Sequence, residues 1–153
     1  MVVRDYEMED AGPICRLFYE TVRTVNLADY SPEQVQAWAP EVPDQGAWHA
    51  RMSGRHTLVA EDEDGVAGFA ELEEDGHLDM FYCRRDAVGR GVGSRLYAAV
   101  EGRARDLGVE KIFTEASITA KPFFERRGFA VLRQNTVWHG GVGLTNFSME
   151  KAL

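Results

Sequence analysis

The stretch Val88-Gly89-Arg90-Gly91-Val92-Gly93-Ser94 sets glycines at alternate positions immediately ahead of a helical pattern. Glycine lets the backbone turn sharply and approach a ligand closely, and a helix that starts in such a loop aims unpaired N–H groups at whatever lies in front of it. The chemistry this serves is anion binding. The surrounding charge agrees: residues 84–105 carry six arginines (84, 85, 90, 95, 103 and 105) against Asp86 and Glu101, within a chain of net charge −8. Arg95, Arg103 and Arg105 also fit the solvated face of a helix, so Arg84, Arg85 and Arg90 carry the inference of a polyphosphate ligand. The loop lacks the Gly-Lys-Ser/Thr ending of a P-loop, and Ser94 stands where the dinucleotide fingerprint has its last glycine.

Residues 61–79 show the reverse, with nine acids (61, 62, 63, 64, 71, 73, 74, 75 and 79) and no lysine or arginine. Residues 62–64 and 73–75 sit in or beside two turns, where charge is ordinarily solvated, whereas Glu71 and Asp79 fall within strands. An acidic pocket attracts and orients a cation such as an amine. Phosphates at one end and an amine at the other make a donor-and-acceptor layout.

The elements that must position these groups follow from periodicity. Residues 2–6 read as a strand, and Ile14, Leu17, Phe18, Thr21, Val22 and Val25 recur at helical steps after a cap at Asp10. Ser31-Pro32-Glu33-Gln34 carries a helix-start pattern for a helix ending by Pro40, and residues 44–54 hold one more short helix with Trp48, closed by Gly54. The period then becomes two over 56–62, 66–73 and 77–83, divided by the turn signals Asp64-Gly65 and Asp75-Gly76. A helix over 91–107 stops at Gly108, a strand covers 110–117, and a helix over 120–127 is capped by Thr119 and ended by Gly128. Strands 130–139 and 142–150 join at Gly140-Gly141. The order is β-α-α-β-β-β-α-β-α-β-β with the extra short helix. The strand at 77–83, the helix at 91–107 and the strand at 110–117 form a βαβ unit, so those two strands run parallel while the others pair antiparallel. The expected class is α/β (α+β): one domain over residues 1–153, a mixed, mostly antiparallel sheet flanked by helices.

Composition bounds the rest. With 153 residues, 44% of them apolar, the chain can bury a core without disulfides or structural metal. Its 25 acids against 17 basic residues argue against a broad grip on nucleic acid, which needs phosphate neutralisation. No apolar run approaches the roughly 20 residues that span a bilayer, and the charged start Met1-Val2-Val3-Arg4-Asp5-Tyr6-Glu7 is no signal peptide, so the expected compartment is the cytoplasm. Cys15 and Cys83 show no metal or redox spacing and read as reduced core thiols; His49, His56 and His139 show no metal spacing either, and no metal is expected.

With these residues in view, the chain resembles the GNAT superfamily of N-acetyltransferases, which move an acetyl group from acetyl-CoA to a primary amine. Val88 through Gly93 resemble the family's pyrophosphate loop Arg/Gln-x-x-Gly-x-Gly/Ala, with Val88 where Arg or Gln is usual. Ser117-Ile118-Thr119-Ala120-Lys121-Pro122-Phe123-Phe124-Glu125-Arg126-Arg127-Gly128-Phe129 resembles the segment Asn-x-x-Ala-x-x-Phe-Tyr-x-x-x-Gly-Phe. Ser117 replaces the Asn, and Phe124 the Tyr that commonly protonates the departing thiolate. The Phe-Phe version is similar to a bacterial subgroup of YafP-like acetyltransferases.

The resemblance implies a sheet splayed between strands 77–83 and 110–117, opened by a bulge, with the pantetheine arm lying in the gap as an added strand. The implied cofactor-binding residues are Phe81, Cys83, Val88, Gly89, Arg90, Gly91, Val92, Gly93 and Ser94, with Ser117 and Phe124 flanking the arm. Strand alternation puts His77, Asp79, Phe81 and Cys83 on one face and Leu78, Met80 and Tyr82 on the other, while Phe113, Glu115 and Ser117 share a face. His77, Asp79 and Glu115 are therefore the candidate bases, Glu71 a fourth, with a water chain as the substitute, and Ser117 the group to assist the thiolate. Residues 24–50 and the 134–144 hairpin should build the acceptor side, with Tyr30, Trp38, Trp48 and Trp138 as walls. The partners implied are acetyl-CoA and an amine, with a homodimer open and no part for nucleic acid or a membrane. A non-catalytic acyl-CoA sensor on the same scaffold is the alternative, and a protein using the loop for ATP or NAD a third reading.

Overall fold

Seven period-two segments assemble into one sheet in a computed structural model that describes residues Met1–Leu153. In chain order the elements are β1 (Val2–Asp5), α1 (Ala11–Thr24), α2 (Pro32–Trp38), α3 (Gln45–Ser53), β2 (His56–Asp62), β3 (Gly65–Leu72), β4 (His77–Cys83), α4 (Val92–Leu107), β5 (Lys111–Ser117), α5 (Lys121–Glu125), β6 (Ala130–His139) and β7 (Val142–Ala152). The sheet order is β1-β2-β3-β4-β5-β7-β6, with β4 and β5 parallel and every other neighbour antiparallel. No helix is long and apolar enough to cross a membrane.

Local chemistry explains most boundaries. Ser31 Oγ accepts from the Gln34 N–H at 3.1 Å and Gln34 Oε1 from the Ser31 N–H at 2.9 Å, a reciprocal cap worth about 1 kcal/mol. Asp10 does not cap α1: its carboxylate is taken by the Glu7 N–H at 2.8 Å and by both Arg4 amino groups, which closes a 3-10 turn over Met8–Asp10. Thr119 does not cap α5 either, since Ser117 Oγ accepts from the Ala120 N–H at 3.0 Å in its place.

The sheet buries both faces. Leu78, Leu96, Val100, Ile112, Phe124 and Phe129 lie in the core under α4, whereas Ile14, Phe18, Val22, Met52 and Phe69 lie in the core under α1 and α3.

Candidate active site

Parallel pairing between β4 and β5 is confined to His77 with Phe113 and Leu78 with Thr114, and beyond Leu78 the strands part. Two features make the fork. Glu71 faces Met80 while Leu72 faces Leu78, so Asp79 is an unpaired extra residue, a bulge that bends β4. Thr114 Oγ1 donates to the Leu78 carbonyl at 2.7 Å, so a side chain satisfies the last backbone group before the gap.

The bulge overturns strict alternation along β4. Leu78 packs in the α4 core with Phe81 and Cys83, while Met80 and Tyr82 pack on the α1 side. Past the fork, the Arg84 N–H bonds the Ala67 carbonyl of β3, so alternation turns the backbone groups of Phe81 and Cys83 toward the gap. The Cys83 carbonyl is taken by Thr21 Oγ1 of α1 at 2.7 Å, which leaves the Cys83 N–H and the Phe81 groups facing the opening.

Two cavities meet at this opening and share Phe81, Tyr82, Ser117 and Ala120. One, of about 460 Å³, runs along Cys83, Val88, Gly89, Gly91, Gly93 and Ser94. Gly89 and Gly91 hold φ of +79° and +84°, a left-handed conformation that glycine adopts freely. Gly93 is needed for another reason: a Cβ there would come within 3.0 Å of the Phe123 ring. The first internal bond of α4 runs from the Arg95 N–H to the Gly91 carbonyl, leaving the N–H groups of Val92, Gly93 and Ser94 without a helical partner. The Arg90 N–H is spent on the Ala87 carbonyl, and the Val92 side chain is in the core.

Charge around this cavity differs from the sequence expectation. Arg84 is neutralised by Asp62 and Asp86, whereas Arg85, Arg90, Arg95, Arg126 and Arg127 enter no ion pair. Arg126 and Arg127, which sequence reasoning did not single out, line the cavity. Arg127 lies 3.5 Å over the Phe123 ring and donates to Ser94 Oγ, and burial beside Arg126 lowers its pKa. Their signal was the Arg126-Arg127 pair beside the aromatic segment. Phe124 belongs elsewhere than expected: at 2% exposure it is a core residue against Phe81 and Phe129, and it borders the other cavity. Thr119 lines the glycine-loop cavity, and its Oγ1 is a buried hydroxyl with no partner.

The second cavity, of about 440 Å³, is walled by Phe18, Tyr30, Trp38, Tyr82, Trp138 and Leu144, with Asp79 and Glu115 as its carboxylates. Trp48, expected here, packs instead between Phe18 and Phe69 beneath Arg51. The Tyr30 hydroxyl donates to the Thr145 carbonyl at 2.5 Å and accepts from the Ile118 N–H at 2.9 Å, and Gln34 Nε2 donates to the Gly143 carbonyl at 3.0 Å. These bonds tie α2, β5 and the β6–β7 hairpin into one wall. Burial, reinforced by the Asp79 charge, pushes the Tyr82 phenol well above its ordinary pKa.

A charged chain leads away from this cavity. Glu115 Oε1 meets His77 Nε2 at 2.7 Å, and His77 Nδ1 meets Glu73 Oε1 at 3.1 Å, so both ring nitrogens face carboxylates. Burial pulls the His77 pKa down, but the bonds to Glu115 and Glu73 and the Asp79 charge outweigh it and leave the pKa raised. Arg55 bonds Asp79 at 2.6 Å, Glu73 at 3.1 Å and Glu71 at 3.3 Å. Glu71 is fully buried and also held by Arg51 at 2.7 Å, which gives it a structural place away from the opening. The geometry therefore brings Asp79, Glu115 and Ser117 to one opening, sets His77 behind Glu115, and excludes Glu71. Ser117 Oγ accepts from the Ala120 N–H, which leaves its own proton free to donate. Burial pushes the Cys83 thiol up to about 11, so it stays protonated beside the gap.

Comparison with known proteins agrees with this geometry. Residues 26–153 match the model of a family described as an acetyltransferase (GNAT) domain. An uncharacterized N-acetyltransferase of Escherichia coli strain K12, YafP, is 33% identical over 96% of this chain and 93% of its own. A structure described as "GCN5-Related N-acetyltransferase: Aminotransferase, Class-II" from Rhodopseudomonas palustris superposes with a TM-score of 0.93 at 38% identity, covering 99% of this chain and 95% of that one. PaiA N-acetyltransferase from Thermoplasma acidophilum, solved with coenzyme A, shares the fold with a TM-score of 0.81 at 19% identity, covering 99% and 98% of the two chains.

Proposed function

The chain belongs to the GNAT family of acetyltransferases, and from that premise we propose that this acyltransferase carries an acetyl group from acetyl-CoA to a primary amine by direct attack inside the β4–β5 fork. The observation that carries the reading is that fork: an opening through the sheet that joins a glycine-loop cavity to an aromatic cavity bearing Asp79 and Glu115.

The residues fit such a cosubstrate. The free N–H groups of Val92, Gly93 and Ser94, with Arg126 beside them, suit a diphosphate. The Phe81 backbone and the orphaned Thr119 hydroxyl offer hydrogen bonds to an amide-bearing arm. Acetyl-CoA supplies the acetyl group as a thioester, the electrophile of the reaction. On the protein side, the Phe81 N–H faces the place where carbonyl charge develops, and a preorganised donor of this kind is typically worth about 2.7–4 kcal/mol. Ser117 donates its free proton toward the departing sulfur, the place that Phe124 cannot fill. Asp79 and Glu115 draw in the ammonium, and Glu115 receives its proton with His77 and Glu73 behind it as the route to solvent.

The sensor alternative is not favoured, because the relatives at 33% and 38% identity are both described as N-acetyltransferases. Incubation with acetyl-CoA and a panel of amines, read as free thiol and as acetylated product by mass, tests the proposal. Amine-dependent thiol release is expected; tight coenzyme A binding with no turnover on any amine would return the protein to the sensor class.

A further inference from the structure

The second cavity is unusual in what it does not contain. No lysine or arginine lines it, and its carboxylates are Asp79 and Glu115, with His139 on the hairpin as the one imidazole. The cations nearest those carboxylates stand outside the lining and are already committed, Arg55 to Asp79 and His77 to Glu115. Arg55 is itself divided among Asp79, Glu73 and Glu71, so the four carboxylates of this network (Glu71, Glu73, Asp79 and Glu115) share only three basic groups (Arg51, Arg55 and His77). That negative balance is the counter-charge a ligand's ammonium finds, and a ligand's carboxylate or phosphate finds no free cation in the lining.

The walls carry the second half of the argument. Trp138 is 70% exposed, the most exposed large apolar side chain of the molecule, yet it lines this cavity. It is placed by its surroundings: a Cβ at Gly143, its cross-strand partner, would come within 3.2 Å of the indole, so glycine lets the ring lie against the hairpin. In the same lining, Trp38 meets Tyr30 edge-on at 5.4 Å, and Tyr30 is pinned by its two hydrogen bonds. A wet, positioned indole lining the same cavity as rigid aromatic rings is apolar area that a flat ligand would remove from water.

We infer that the acceptor is an aralkylamine without an acidic group, its ring held between Trp138 and Trp38 and its amino group directed at Asp79 and Glu115. This rests on the acetyl-transfer reading for the reaction but not for the binding. The cavity of about 440 Å³ is of a size for a small molecule.

Phenethylamine and phenylalanine differ by one carboxylate and make the test. In binding, read by quenching of tryptophan fluorescence, and in kcat/KM with acetyl-CoA, phenethylamine should lead by at least about 100-fold, because an unpaired like charge beside two carboxylates costs several kcal/mol. Trp138→Ala should lower the ratio of phenethylamine to methylamine turnover about tenfold through KM, and Trp138→Phe should restore it. Equal use of phenylalanine, or a preference for polyamines or lysine peptides over phenethylamine, overturns the inference while leaving acetyl transfer standing. Selective binding of phenethylamine with no turnover of any amine supports the cavity assignment and sinks the acetyl-transfer reading.

Discussion

His77 shows how a single side chain is assigned by its partners. With a carboxylate on each ring nitrogen its pKa is raised, and it stands behind Glu115 outside the cavity lining, so its part is to position Glu115 and pass a proton outward. A raised histidine pKa has a defined consequence. The stabilisation is fully present below the ordinary value of about 6.5 and is lost as pH rises through the higher folded value. The gap in urea midpoint between the parent chain and His77→Gln should therefore be wider near pH 5.5 than near pH 8.5, roughly a unit or two either side of that value. In kcat/KM, the rise with pH should show an inflection above the ordinary histidine value, and His77→Gln should erase it while leaving coenzyme A binding in place. An inflection that survives the substitution would separate His77 from the proton path.

At the scale of elements, the βαβ unit does most of the work, because one strand end and one helix start face the same cavity. Gly91 caps α4 in a left-handed conformation, with nothing within 4 Å of where a Cβ would stand. Gly91→Val thus costs the fold only a backbone strain of about 1–2 kcal/mol, while its side chain occupies the space in front of the free N–H groups. Coenzyme A affinity by calorimetry should fall at least about 100-fold, on the scale of 1.4 kcal/mol per factor of ten, with circular dichroism unchanged. Unchanged affinity would remove the loop from the site. The bulge at Asp79 is the other decisive element feature, since it moves Leu78 into the α4 core and opens β4 from β5.

At the scale of the whole molecule, the ion network around Glu71 ties α3 and the segment before β2 to the neighbouring strands β3 and β4. Arg51 of α3 and Arg55 before β2 converge on this fully buried carboxylate of β3, and Arg55 continues to Asp79 of β4. Removing the charge with Glu71→Gln leaves Arg51 without its carboxylate, while Arg55 keeps Asp79 and Glu73. Breaking a buried pair costs about 3–5 kcal/mol, and since both arginines keep about a quarter of their side chains in water, the lower end is expected. Thermal unfolding measures it. A loss under about 1 kcal/mol would mark the network as surface-like.

The sequence by itself determined the elements and their pairing, because capping residues, turn glycines and hydrophobic period are local signals that act within a few residues. The Ser31–Gln34 cap, the Gly108 stop and the parallel β4–α4–β5 unit all stand where the pattern placed them. Only the tertiary structure decided which charges are free and which side of a strand a residue takes. Arg84 is neutralised by Asp62, 22 residues away, Glu71 is locked by two arginines, and one bulge reverses the facing of Leu78. Those outcomes depend on contacts between distant segments, and a strand period of two cannot carry across an inserted residue.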